Sequence, residues 1–415
     1  MKAFRKSILP ALFVAVCLPL QSIAAESAAP TLEWNNTWSS PFARAVGGSQ
    51  TAHALNEDAL YANPAALNKT RHPRSRSAID AIDAPGLSLG GNKSAMSTLK
   101  GKSLKPAEWL KSFGGQSAGE RNYLETQMLP WVALGDRGGP TFFLGLPIRS
   151  FLIANPSPDG GMSRTISTET TATAAMNMSI SSRSGAAALG LSIRPNIRWN
   201  SSASYQLTDI GSSKGLFGAL KAEQHKTSST AVDVGFIATA GDFWLPSFGL
   251  AVMNIPTGCV DNFVNPATGK TQSICGAKRT GDVREDLSGT QIDPTEVRVG
   301  FSIVPRFRIA SQRVNLKISG DIYPLPITYA GKNYGFEDVN INQLTHAGVE
   351  VFLGNANNPR SFSLRAGLSE TRTSWGFSLP LPNFSLDFTS YEAAIFTDGK
   401  ATKDRRYLLG MSGHW

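Results

Sequence analysis

An export-type N-terminus, strands that alternate between an apolar and a polar face, and connections that run alternately short and long predict an all-β chain. The class they predict is a transmembrane antiparallel β-barrel of about fourteen strands. The closing stretch, 405–415, shows the alternation well. Tyr407, Leu409, Met411, Gly413 and Trp415 share one face, and Arg406, Leu408, Gly410, Ser412 and His414 share the other. A soluble sheet can alternate too. A terminal aromatic on an exported chain favours a strand closing a barrel in lipid, with Tyr407 and Trp415 at the two interfacial girdles.

Taken in order, residues 1–25 carry the export signal. Lys2, Arg5 and Lys6 form a basic start, Ile8 to Leu20 an apolar stretch, and Ser22-Ile23-Ala24-Ala25 a small-residue cleavage site. Pro10 and Pro19 interrupt the apolar stretch, which is too short to span a bilayer. Val16 before Cys17 stands where a lipoprotein signal would have a small residue. Removing Lys2, Arg5 and Lys6 takes the formal charge from +9 to +6, a modest excess that argues against nucleic acid as a partner. No later segment has 18 uninterrupted apolar residues, so no transmembrane helix is expected. About 390 residues would remain, more than one ordinary soluble core holds, and a barrel escapes that limit because lipid covers its outer face.

Strands are expected at 76–89, 121–135, 140–153, 164–182, 185–200, 228–241, 243–256, 292–305, 309–323, 343–354, 360–369, 371–379, 382–392 and 405–415. In 185–200, Leu189, Leu191, Ile193, Ile197 and Trp199 oppose Ser192, Arg194, Asn196 and Arg198. Charged residues recur on the polar face, among them Arg298, Lys317, Glu350, Arg365 and Arg372, as a wet interior inside a lipid-facing wall requires. The long connections 90–120, 201–227, 257–291 and 324–342 alternate with short ones, and only the one near Glu370 is short where a long one is due. Helical pieces are expected near Pro106–Phe113 and Lys214–His225. Cys259 and Cys275 share one Gly- and Asn-rich connection with no histidine nearby. In an exported chain that predicts a disulfide rather than a metal site.

No cofactor and no enzymatic activity are expected. Gly86-Leu87-Ser88-Leu89-Gly90 fits the G-x-S-x-G hydrolase pattern but sits within a barrel strand, without a strand-to-helix elbow. His53, His72, His225, His346 and His414 show no metal-ligand spacing.

Residues 26–75 precede the barrel, 76–415, and alternate poorly. They read either as a poorly ordered tail or as a compact plug inside the lumen. Their motifs are Ala43-Arg44-Ala45, Gly47-Gly48, Asn56-Glu57-Asp58 and Asn63-Pro64-Ala65. With Leu364–Leu368 and the closing strand, these resemble the long-chain fatty-acid channel family of outer-membrane barrels and its secretion- and conjugation-associated relatives. That resemblance implies fourteen strands and an N-terminal hatch plugging the lumen, held by Asn63, Pro64 and Ala65. It implies passive uptake of hydrophobic or amphipathic molecules such as long-chain fatty acids, released sideways through a kinked early strand. Gly145 and Pro147 are the residues placed to form that kink. It also implies outer-membrane lipid, the barrel-assembly machinery and a hydrophobic small-molecule ligand as partners. The alternative is a barrel that transports nothing and serves as a secretion, conjugation or cell-surface platform.

Overall fold

The computed structural model describes residues 38–54, 58–69, 79–80, 86–99, 121–135, 140–156, 163–182, 184–206, 218, 220–241, 244–264, 270–283, 291–309, 312–337, 340–353, 362–381, 384–397 and 400–413. The export signal, the Asn56-Glu57 pair, the helix expected at Pro106–Phe113, His414 and Trp415 lie outside these residues.

Fourteen strands close a barrel among the described residues. They are β1 (Gly86–Asn92), β2 (Asn122–Leu129 and Trp131–Gly135), β3 (Pro140–Gly145 and Ile148–Pro156), β4 (Ser163–Thr173 and Ala175–Ser181), β5 (Ala187–Gln206), β6 (His225–Thr239) and β7 (Ser247–Met253). The other seven are β8 (Glu296–Ile303, resuming as Arg306–Ile309), β9 (Gln312–Leu325), β10 (Thr345–Leu353), β11 (Phe362–Ser369), β12 (Arg372–Pro380), β13 (Phe384–Thr397) and β14 (Lys400–Gly413). Each pairs antiparallel with its neighbour in sequence, and β14 returns to β1 through partners such as Leu409 and Leu89. Closure leaves no unpaired sheet edge, which a strand in lipid could not tolerate.

The side chains sort as the alternation predicts. On β5, Leu189, Leu191 and Ile193 are exposed on the outside, whereas Ser192, Arg194 and Arg198 are buried inside. Phe142, Leu144, Met176, Met178, Phe248, Leu250, Trp375 and Leu409 continue the outer apolar belt around the barrel. So much exposed apolar surface suits hydrocarbon surroundings, not water. No described helix is long and apolar enough to cross a membrane.

Several strands run longer than expected, whereas β7 (Ser247–Met253) falls short of 243–256 and Ile292–Pro294, expected at the start of β8, pairs in another sheet. β5 runs on to Gln206, β6 begins at His225, and β13 and β14 run to Thr397 and from Lys400 where a connection at 393–404 was expected. Above the apolar belt both faces of the ladder are wet, so period-two alternation fades although the hydrogen bonds continue. Exposed Lys403 and part-exposed Arg405 on β14 pair there with Glu392 at 3.6 Å and 2.6 Å. The first strand is also shifted, to Gly86–Asn92 with a two-residue piece at Ile79–Asp80, and Lys93–Leu99 is helical rather than loop. Of the helix expected at Lys214–His225, residues 220–222 are helical and His225 already belongs to β6.

The connection after β7 folds on its own scale. Strands Gly258–Val264, Thr271–Lys278 and Ile292–Pro294 form a small separate sheet, and Cys259 and Cys275 pair across it in a disulfide. Phe263, Ile274, Ile292 and Phe336 give this sheet a separate apolar core.

Candidate functional site

Residues 38–54 and 58–69 lie along the inner wall. Helix α1 (Pro41–Ala45) starts at Ser40, whose Oγ accepts from Ala43 N at 3.0 Å, with Pro41 in the first turn where its missing N–H costs nothing. Gly47 and Gly48, at φ 66° and 80°, turn the chain away from α1, a conformation a side chain would strain. Helix α2 (Ala59–Ala62) and a 3-10 turn at Pro64–Lys69 follow. Pieces this short are not stable alone, so their order comes from the wall.

The contacts proceed around the barrel strand by strand. Thr389 of β13 donates to Pro41 O at 2.6 Å, and Ser374 of β12 to Ala45 O at 3.1 Å. His346 Nδ1 on β10 lies 2.9 Å from Gly47 O, and Ser49 and Ser319 of β9 are hydrogen-bonded at 2.8 Å. Thr51 N donates to Asp321 Oδ2 at 2.7 Å. Asn63 Nδ2 donates to Thr51 O at 2.7 Å, to Phe236 O of β6 at 3.1 Å and to Leu250 O of β7 at 3.3 Å, while Asn63 Oδ1 accepts from Ala65 N. Asn177 of β4 donates to Pro64 O at 3.3 Å.

A bed of glycine makes this approach possible. Gly190 and Gly235, Gly249 and Gly300, and Gly348 and Gly367 are directly opposed on neighbouring strands. All six stand on inward positions. A methyl on Gly190 would overlap the Pro64–Ala65 backbone, on Gly235 the Asn63 amide, and on Gly367 the Val46–Gly47 backbone. Gly410 of β14 meets Pro41 in the same way. The sequence reading passed over these residues. Glycine on the polar face of successive strands is the signal that could have found them.

Ion pairs complete the packing. Glu125 of β2 accepts from Arg44 of the segment at 2.8 Å and from Arg149 of β3 at 2.6 Å, and Gln127 and Tyr123 also donate to it. Burial alone would lower the Arg44 pKa, but the Glu125 carboxylate outweighs it and holds the guanidinium charged. Arg194 grips Asp233 at 2.6 Å and 2.8 Å, and Glu350 takes Arg365 at 2.7 Å and Lys317 at 3.4 Å. Arg298 donates to Tyr61 O at 2.8 Å, and Arg372 pairs with Glu370 at 2.7 Å. The charged residues predicted for the interior are thus there, in pairs. Asp58 takes Ser40 N, Ser40 Oγ and Gln50 Nε2, and burial raises its pKa to about 6.

The wall from β2 to β5 is built differently. β2 breaks at Pro130, β3 at Leu146-Pro147 and β4 at Ala174, and β5 carries Pro195 at the same level. Leu146 N donates to Pro130 O, Thr173 N to Pro147 O and Ala174 N to Pro195 O, each at 2.9 Å. An intact antiparallel pair would return each bond, and proline has no N–H to return. Gly145 and Pro147 flank the middle of this row. A methyl on Gly145 would press on Phe143 and Leu129. Those two belong to an apolar cluster with Leu60, Tyr61, Ala65 and Leu67 of the inner segment, so the end of the segment packs beside the broken wall.

Of the other residues singled out by sequence, Asn63, Pro64 and Ala65 meet β4 to β7, the cysteines lie in the small separate sheet, and Tyr407 faces outward near Phe388.

No protein-family model and no curated protein sequence matches the chain. Its fold is similar to that of solved hydrocarbon channels. A TodX deltaS2S3 mutant monoaromatic hydrocarbon channel is 11% identical, with 90% of this chain and 98% of that one covered and a TM-score of 0.46. The CymD monoaromatic hydrocarbon channel is 12% identical, with 90% and 97% covered and a TM-score of 0.42. A Pseudomonas aeruginosa FadL homologue is 11% identical, with 94% and 98% covered and a TM-score of 0.43. The likeness is one of general shape, and the reading below rests on the chain's own residues.

Proposed function

We propose that the chain is a bacterial outer-membrane barrel for passive uptake of hydrophobic or amphipathic small molecules, long-chain fatty acids among them. In this reading 1–25 is the export signal, 26–75 a hatch filling the lumen, and 76–415 the barrel. Asn63, Pro64 and Ala65 hold the hatch to the wall, and Gly145 and Pro147 shape a side opening into lipid. Cys259–Cys275 staples an external loop.

The observation that carries the reading is the row at Pro130, Pro147 and Pro195. It is a stretch of wall with one hydrogen bond where two would stand, next to the apolar end of the inner segment. A solute passing straight down the axis would meet the buried ion pairs of Arg194, Lys317, Glu350 and Arg365, which suit water or nothing. A solute leaving sideways at the proline row meets Leu146, Leu144 and then hydrocarbon.

The test is oleic acid entry into vesicles reconstituted with the full chain, read by an internal pH dye. Entry faster than into empty vesicles is expected, with Asn63→Ala altering the rate and Pro147→Val lowering it. Entry no faster than into empty vesicles would remove the transport reading. A stoichiometric protein co-purifying with such a barrel would instead support the platform reading, for which the small disulfide-stapled sheet offers a surface.

A further inference from the structure

On the lumen side of the proline row the wall is aromatic. Trp131 of β2 and Phe143 of β3 stack with ring centroids 5.1 Å apart and planes 20° from parallel. Ala133 and Phe143 are register partners, and Trp131, two residues from Ala133, shares their inward face. All three pack with Leu60, Tyr61, Ala65 and Leu67 of the inner segment. Their burial differs. Phe143 and Leu129 are each 1% exposed and close-packed, whereas Trp131 is partly buried and leaves part of its ring open.

The register partner of Trp131 is Gly145, which has no side chain to cover that ring. A side chain there would lie inward, against Phe143 and Leu129. The next step of the ladder is the weak one. Leu146, the residue after Gly145, donates to Pro130 O, the residue before Trp131, and no bond is returned. Leu144 and Leu146 are exposed on the other side of the same gap.

A solute moving from the lumen to this gap therefore crosses the open part of the Trp131 ring. A flat aromatic face gains dispersion with an alkyl chain and asks for no hydrogen bond. An unbranched chain is about as wide as the ~4.8 Å between neighbouring strands. Methyl branches make the body wider than one such spacing, and the close-packed Phe143 and Leu129 leave no room behind the ring.

We propose that Trp131 sets the width of what the side opening passes: unbranched alkyl chains slide over its ring, and branched bodies are held back. The proposal rests on the reading that solute leaves sideways at the proline row.

The experiment compares palmitic acid with phytanic acid, which is the same carbon chain carrying methyl branches. Entry of each is measured with the full chain in vesicles holding an internal pH dye, relative to empty vesicles. The native chain is expected to speed palmitic acid about tenfold more than phytanic acid, the discrimination an apolar contact gives against added methyl groups. Trp131→Ala is expected to remove most of that difference by raising phytanic acid entry. Trp131→Phe, which keeps a flat ring, should retain most of it. Heat-modifiable gel mobility checks folding. If Trp131→Ala does not fold, Trp131→Leu, which keeps apolar bulk but loses the flat ring, carries the same expectation. Sucrose entry, followed by vesicle swelling, should stay at the native level throughout. Equal acceleration of the two acids by the native chain, or an unchanged preference in the folded variant, overturns the proposal and leaves the sideways exit standing. Sucrose entering together with phytanic acid also overturns it, because that traces the change to a displaced inner segment. No acceleration of either acid by the native chain removes the sideways reading itself, and this proposal with it.

Discussion

The stretch of wall from β5 to β12 and the stretch from β2 to β5 break the ordinary rules of a strand in opposite ways. Along the first, glycines such as Gly190, Gly235, Gly300 and Gly367 remove side chains so that another backbone can lie against the ladder. Along the second, Pro130, Pro147 and Pro195 keep the side-chain alternation but remove hydrogen bonds from the ladder itself. Glycine here increases contact, and proline decreases it. One barrel therefore has a side to which the inner segment is fixed and a side where the wall is weakly joined. In a channel of this build the yielding part would be the wall, with the segment as its fixed backing.

The largest test of that contrast is at Glu125, which joins the two sides by holding Arg44 of the segment and Arg149 of β3. Glu125→Ala leaves two buried guanidiniums without their carboxylate. A loss of about 3–5 kcal/mol is expected from denaturant unfolding, with residues 38–69 becoming open to protease in the folded barrel. A stable variant with a protected segment would show that the glycine bed alone is enough.

Next comes the bed itself. Gly235→Val puts a branched side chain where the Asn63 amide lies, and overpacking of this kind costs about 3 kcal/mol. The same substitution at Gly185, which sits at a turn with open space around it, is expected to show no such clash, though its φ of 69° adds local strain. If the two variants lose equal stability by thermal unfolding, the close approach at Gly235 is not what matters.

A somewhat smaller effect should follow pH. Asp58 links residues 40, 50 and 58 of the segment, and Lys317 is the charge facing it from the wall. Its pKa in the folded chain, about 6, lies above the ordinary 3.8, so the folded state holds the proton more tightly. Stability from this group is therefore full below about pH 4 and is lost as pH rises through 6. The change amounts to roughly 2–3 kcal/mol. Thermal unfolding between pH 4 and 7 should show that decline in the native chain and a flatter profile in Asp58→Asn. Matching profiles would place the titration elsewhere.

The legibility of these features differs for physical reasons. The outer belt could be read because Leu189, Leu191 and Ile193 alternate with Ser192 and Arg194, and lipid on one side forces that pattern. The strand pieces at 393–404 could not, since above the belt no solvent difference separates the two faces. The pairing of Arg44 with Glu125 joins positions 81 apart, and the glycine bed depends on what lies opposite each glycine in space. The prolines were visible singly as strand breakers. Their alignment into one row is a property of register, and register appears only once β2 to β5 are paired.

The smallest effect tests the weak side directly. Pro195 accepts a hydrogen bond from Ala174 N at 2.9 Å and cannot return one. Pro195→Val supplies the missing N–H without changing the outward, apolar character of the position. One restored ladder bond is worth about 1 kcal/mol, so stability should rise slightly where the other variants lose it. Hydrogen exchange should slow at residues 172–175 and 194–196, while exchange in the bedded segment stays as it was. If the row is the yielding part of the wall, oleic acid entry should fall together with exchange there. Slower exchange with unchanged entry would separate the two, leaving the proline row a structural irregularity and sending the search for a side opening to another part of the wall.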